Sequence, residues 1–515
     1  MRKSGVLLHI SSLASPHGIG TLGKEAGEFI DFLAAAGQSY WQILPVCPTG
    51  YGDSPYQSFS SFAGNPYFID FDELAEEGLL EHEEYANLDW GSDPAKVDFG
   101  KLNEHRISIL QLAAERLLAD EPESFRRFCS ENAFWLDEYA LFMSVKQSFG
   151  GISWTDWDDP YRNHDEELLA RFSLEHGSAI SEWKAIQYMF FRQWKTLRTY
   201  AEQKGIRIIG DMPIYVSMDS ADVWAHPEMF QLDGERRPVE VSGCPPDGFS
   251  DKGQMWGNPL FDWEGMKKDG YSWWNRRIEY LTGIYHVLRI DHFRGFESYY
   301  AIPYGADDAS KGCWRKGPGI DFFRTVESAI GKKDIIAEDL GFVTPDVAEL
   351  LKETGYPGMK VLEMAFDKRD PQGSLYLPEN YYENCVAYLG THDNEPAIGW
   401  IMTADREDTA EAIRYLGLND PDNYNWDMMR SIWKSDAGLT VVQAQDILGL
   451  GTESRMNTPS VPAGNWQWRS LPGSFNEELA SKLADEMKAC RRCKYGESGG
   501  RLKLKNQSLR AHFGR

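Results

Sequence analysis

Three short apolar runs in this chain end in acidic residues, and that recurrence restricts the possible folds more than any other feature. They are Val287-Leu288-Arg289-Ile290-Asp291-His292, Ile335-Ile336-Ala337-Glu338-Asp339 and Val386-Ala387-Tyr388-Leu389-Gly390-Thr391-His392-Asp393. An apolar run of this length reads as a buried parallel strand, and residues just past its C-terminal end face the active site of a (β/α)8 barrel. One such Asp could equally be a semi-buried carboxylate neutralised by Arg289 or Arg294. Three of them on one barrel face suit glycosyl transfer, in which two carboxyls about 5 Å apart act as nucleophile and acid/base while a third acid binds sugar hydroxyls. Glu338 follows Asp291 by 47 positions and Asp393 follows Glu338 by 55, room for about one or two strand-helix units each.

Five further runs, at residues 5–10, 40–45, 205–215, 359–363 and 439–446, bring the number of expected barrel strands to eight. Between the first two, Ala26, Phe29, Ile30 and Leu33 have helical spacing, and Gly37 ends the helix. Thr344-Pro345-Asp346 reads as N-cap, first-turn proline and early acid of a helix that stops at Gly355. Residues 62–205 show helical runs near 102–118, 136–149 and 180–204 without a barrel strand, too long for a loop and therefore a helical insertion subdomain. Residues 213–283 form a second insertion whose Gly- and Pro-rich part, 245–259, is expected to be a lid. The expected fold is α/β: one catalytic (β/α)8 TIM barrel over residues 1–480, with large helical and loop insertions at its C-terminal face. The basic, aperiodic residues 491–515 are expected to be a disordered tail.

A formal net charge of −26 argues against nucleic acid and anionic membranes as partners, because both require a basic surface. Neutral sugars remain compatible, and 18 Trp, 24 Tyr and 26 Phe provide both core and stacking faces. The seven cysteines are scattered, which fits reduced thiols in a cytoplasm; Cys490-x-x-Cys493 stands alone without a second pair or a nearby His. There is no signal peptide, long apolar stretch, metal cluster or Gly-rich phosphate loop, so a soluble enzyme with no metal and no cofactor is expected.

The three acid-tipped runs resemble the catalytic regions of the α-amylase clan. From residue 5 to about residue 469 the chain is similar to the 4-α-glucanotransferases (amylomaltases, disproportionating enzymes) of glycoside hydrolase family 77. Residues 48–58 are close to a family signature, and Asn457-Thr458-Pro459 and Gly464-Asn465-Trp466-Gln467-Trp468-Arg469 also look like the family. Tyr215-Val216 stands where amylases place Asn-His, and there is no room for the C-terminal β-domain of amylases.

The resemblance implies that Asp291 is the nucleophile, Glu338 the acid/base and Asp393 the stabiliser of the transition state. It further implies substrate contacts from Tyr56, Asp247, Gln254, Trp256, His292 and His392. Asp211 and Arg289 belong to the same substrate site, with Asp211 bracing the nucleophile strand. Tyr51 and Phe99 are the candidates for a second, non-catalytic glucan site. The implied substrates are α-1,4-glucans, namely maltooligosaccharides, starch and glycogen, with glucose as an acceptor. The physics of the residues agrees with this division of roles. Arg289, two residues before Asp291 on one strand face, can hold the nucleophile ionised, while burial and Asp339 would raise the pKa of Glu338. Two rivals keep part of this pattern: a hydrolase of the same clan, and an inactive glucan-binding protein, which has no need of three acids.

Overall fold

The computed structural model describes residues 2–50, 52–246, 252–341 and 343–493. Among these are twelve strands: β1 (Lys3–Leu7), β2 (Tyr40–Gln42), β3 (Arg207–Met212), β4 (Glu240–Cys244), β5 (Gln254–Pro259), β6 (Val287–Ile290), β7 (Ser298–Pro303), β8 (Cys313–Lys316), β9 (Ile335–Ala337), β10 (Gly358–Val361), β11 (Cys385–Tyr388) and β12 (Leu439–Gln443). Eight form a single sheet in the order β10-β11-β12-β1-β2-β3-β6-β9, every bonded neighbour parallel. The two end strands meet where the Ala337 N–H donates to the Pro357 carbonyl at 3.0 Å. The fold is therefore the (β/α)8 barrel read from the sequence.

The acid-tipped runs are strands because parallel strands enclosed by helices are buried on both faces, which demands unbroken apolar sequence. Strands β6, β9 and β11 are buried at every position. Gly210 on β3 admits the Tyr285 ring, since a Cβ there would come within 2.2 Å of it. The connection from β2 to β3 holds three long helices, Phe99–Asp120, Glu123–Ser148 and Gly177–Lys204. They join the main core through Leu110, Phe142, Trp183, Phe190 and Trp194, and Gly205, at φ 75°, ends the last helix so that β3 can begin.

Several expectations shift. The eighth strand stops at Gln443 instead of residue 446, and Ala444–Leu448 turns into a helix. The second insertion is more than a lid loop, because β4 and β5 pair antiparallel and continue through β7 and β8 into a four-stranded sheet, β5-β4-β7-β8. Two of those strands, β7 and β8, follow β6 in sequence. A pairing that distant leaves no local pattern to read.

The tail expectation also changes at its start, although residues 494–515 lie outside the described residues. Arg492 is buried, and its guanidinium donates to the carbonyls of Trp433 (2.6 Å), Lys3 (3.0 Å), Ala437 (2.9 Å) and Ser435 (2.9 Å). It thereby ties the start of β1 and the approach to β12 to the helix Tyr424–Lys434. Burial lowers its pKa to about 10, which leaves it charged at neutral pH. Arg492→Ala strands these carbonyls and is expected to cost about 2–4 kcal/mol, read as a lower denaturant midpoint at unchanged slope. An unchanged midpoint would show that water replaces the guanidinium without loss.

Candidate active site

Strands β6 and β9 pair in register, with Ile290 opposite Ala337. Asp291 and Glu338 each follow that pair by one residue, so their backbones leave the sheet about 5 Å apart, one strand spacing. The Glu338 N–H donates to the Ile290 carbonyl at 3.0 Å and the Asp291 N–H to the Met212 carbonyl at 3.0 Å, anchoring both acids to the barrel rim. His292 then takes the left-handed conformation, φ 52°. This turns its N–H onto Glu338 Oε2 at 2.7 Å, while the Leu340 N–H donates to Oε1 at 2.8 Å. A bulky residue at positive φ carries a conformational cost. Here it aims the backbone of one strand at the acid of the next.

One guanidinium nitrogen holds the Asp291 side of the site. Arg289 Nη1 donates to Asp211 Oδ1 and Oδ2 at 2.8 and 2.7 Å and to Asp291 Oδ1 at 2.9 Å, and the Tyr56 hydroxyl donates to Asp211 Oδ2 at 2.8 Å. The Asp211 side chain has no exposed surface, whereas that of Asp291 is 28% exposed. Both Asp211 oxygens are engaged by protein, which suits the bracing role expected of it.

Burial pushes the carboxyls of Asp291 and Glu338 above the ordinary range. For Asp291 the Arg289 guanidinium opposes the rise, while Asp211, Glu338 and Asp393 add to it. For Glu338 the opposition comes from Arg289 and the two backbone donors, and Asp339 adds to the rise. So crowded a set of acids retains a proton to higher pH than free carboxyls do. Asp291 has the direct ion pair to Arg289, whereas the Glu338 oxygens accept two backbone N–H groups.

Asp393 leaves β11 on a tight loop. Its carboxylate accepts from Asn457 Nδ2 at 2.6 Å and lies 3.5 Å from His392 Nε2. The His392 ring stacks on Tyr56, with centroids 5.3 Å apart and planes 14° apart, and Trp466 sits about 6 Å from both, at 5.9 and 6.0 Å. On the other side, Trp256 of β5 meets the His292 ring edge-on at 4.8 Å and donates to Gln254 Oε1 at 3.2 Å. Burial lowers the pKa of both imidazoles, that of His292 to about 3, so they are neutral. His292 Nε2, His392 Nδ1 and the Tyr215 hydroxyl are buried without a protein partner. Buried polar atoms are rarely left in that state, and a bound ligand or water is the usual partner.

The barrel thus gathers Tyr56, Asp211, Gln254, Trp256, Arg289, Asp291, His292, Glu338, His392 and Asp393. Asp247 and Tyr51 lie outside the described residues. Phe99 starts the helix Phe99–Asp120 and packs on the core. Sequence reasoning did not single out Tyr215, Asn457 and Trp466 as site residues, though each lies in a segment already quoted for its resemblance. Among the described residues no group of three or more His, Cys, Asp or Glu is placed to hold a metal ion.

A family profile described as 4-alpha-glucanotransferase, glycoside hydrolase family 77, matches residues 8–472. The chain belongs to the 4-alpha-glucanotransferase family. A 4-alpha-glucanotransferase of Clostridium butyricum is 46% identical over 480 residues, covering 92% of this chain and 98% of that one. The one from Thermus thermophilus is 46% identical over 493 residues, covering 94% and 97%. The structure of an amylomaltase from Streptococcus agalactiae in complex with acarbose superposes with a TM-score of 0.92 at 40% identity, covering 96% of this chain and all of that one. The family match runs from the residue after β1 to beyond β12, with every acid described above inside it.

Proposed function

We propose that this member of the 4-alpha-glucanotransferase family moves segments of α-1,4-glucan between chains by double displacement, with Asp291 and Glu338 as the two working carboxyls. The observation that carries the reading is their placement on adjacent paired strands, one tied to a guanidinium and the other to two backbone N–H groups.

In the first step Asp291 attacks the anomeric carbon of the donor, and the glycosidic C–O bond breaks as Glu338 gives its proton to the departing 4-oxygen. In the second, the 4-hydroxyl of an acceptor attacks the same carbon. Glu338 takes back a proton, the ester to Asp291 breaks, and the configuration is retained. Asp393 stabilises the positive charge and binds sugar hydroxyls. Neutral His292 and His392 supply hydroxyl partners, consistent with their unpaired buried nitrogens, and Tyr56 offers a stacking face. The substrates are maltooligosaccharides, starch and glycogen, with glucose as an acceptor. A cytoplasmic location belongs to the same reading, supported by seven free cysteines. Among the described residues no helix is long and apolar enough to cross a membrane.

Transfer requires that a sugar, not water, meets the glycosyl-enzyme. The half-buried Trp256, against His292 and within 6.1 Å of Tyr215, is placed to bind the acceptor ring and keep water out. Maltotriose alone is therefore expected to yield glucose and a ladder of longer maltooligosaccharides with little gain in reducing ends. Trp256→Ala is expected to shift the products toward hydrolysis. Chromatography beside a reducing-end assay checks both, and reducing ends rising in step with substrate loss in the wild-type protein would replace transfer by hydrolysis.

A further inference from the structure

Asp393 is far from being a free side chain at a loop tip. Arg455, on the segment after β12, uses each of its three nitrogens on a different group around that loop. Nε donates to the Asn457 carbonyl at 2.8 Å, Nη1 to Glu395 Oε1 at 2.9 Å, and Nη2 to the backbone carbonyl of Asp393 itself at 2.7 Å. Asn457, whose carbonyl the guanidinium holds, donates through Nδ2 to Asp393 Oδ1 at 2.6 Å and through its backbone N–H to the His392 carbonyl at 3.1 Å. The planar fork therefore fixes both ends of the link: the backbone that carries Asp393 and the amide that grips its carboxylate.

The fork has little freedom to swing away. The side chains of Arg455 and Glu395 are 17% and 13% exposed. Behind them the buried carboxyl of Glu363 is pushed above the ordinary range by burial and by Asp446 and Glu395, with Arg455 opposing the rise. A carboxylate that is 38% exposed and must meet sugar hydroxyls in one orientation would otherwise rotate. Lysine could neutralise Glu395 but could not make three coplanar bonds.

We propose that Arg455 and Asn457 are positioning residues, which lock the Asp393 carboxylate in the orientation it uses on the sugar during glycosyl transfer. The proposal rests on the reading of Asp393 as the acid that stabilises the transition state. A misplacement of about 1 Å in a group of this kind can cost about 100-fold in rate. Arg455→Lys and Asn457→Ala are expected to lower kcat on maltotriose by about 10- to 100-fold, with KM within about twofold of wild type and an unchanged circular-dichroism spectrum. The double variant Asp393→Ala/Asn457→Ala is expected to be no slower than Asp393→Ala alone, because Asn457 would then have nothing left to orient.

Asn457→Ala, which removes only a side-chain amide, keeps the test open if Arg455→Lys does not fold. A kcat within about twofold of wild type in a folded Asn457→Ala enzyme would overturn the proposal. So would losses that multiply in the double variant, since a merely structural contribution would add to the loss of Asp393. An Asp393→Ala enzyme with wild-type kcat would overturn the underlying reading, and is distinguishable because that variant is measured by itself.

Discussion

Asp291→Ala is expected to abolish transfer, lowering kcat by at least about 10⁴-fold, while the protein becomes no less stable. The loss follows from chemistry: without the carboxylate there is no covalent acceptor for the donor glycosyl group. The stability follows from charge. Asp291 shares one guanidinium with Asp211 and faces Glu338 and Asp393, so its folded-state pKa is raised. A carboxyl raised in the folded state binds its proton more tightly there than in the unfolded chain, so ionising it costs stability, and the cost grows as pH rises above the unfolded value. Removing the carboxyl lifts that cost at neutral pH, and Arg289 keeps both bonds to Asp211. Thermal melts at pH 5 and pH 8 should show the variant level with or above wild type, with the larger gap at pH 8. Retention of more than about a tenth of the wild-type rate would remove Asp291 from its assigned role.

Such a residue marks where sequence reading succeeds and where it stops. The eight barrel strands were legible because strands buried on both faces must be apolar, and the acids stood out because nothing else ends an apolar run so abruptly. The helix Pro345–Thr354 was equally legible, with Thr344 accepting from the Val347 N–H and Gly355 at φ 69°, since caps are local chemistry. The sheet that carries Trp256 was not, because β4 finds its partner β7 some sixty residues later. Arg492 was misread for the same reason. Its neighbours in sequence look like a solvated basic tail, and only the carbonyls of residues 3 and 433–437 make it structural.

The site shows the same division. Arg289 with Asp291 is an i, i+2 relation on one strand and can be inferred from alternation. The left-handed turn at His292, which delivers a backbone N–H to Glu338, cannot, because His is not a residue whose presence announces positive φ. Asp211 appears in sequence as one more acid at a strand exit. Its complete burial between Tyr56 and Arg289, with both oxygens engaged by protein, is legible only in three dimensions.

Glu338→Gln is the second large effect, and its character should differ from that of Asp291→Ala. Glutamine preserves the shape and its carbonyl oxygen can still accept one of the two N–H bonds from His292 and Leu340, but it has no acidic proton to give and cannot take one from the acceptor. Transfer from maltotriose is expected to fall by about 10³-fold or more. A donor that needs no protonation, such as an α-maltosyl fluoride, bypasses the first defect: the C–F bond breaks, fluoride leaves unaided, and the ester to Asp291 forms. The second defect remains, so the glycosyl-enzyme should accumulate. Mass analysis of the Glu338→Gln protein after incubation with α-maltosyl fluoride, followed by peptide mapping, tests the account most directly. It predicts one maltosyl group per chain, on the peptide that contains Asp291, and none in the Asp291→Ala/Glu338→Gln double variant. A label on any other residue, or fluoride release with no labelled protein at any time, would contradict it.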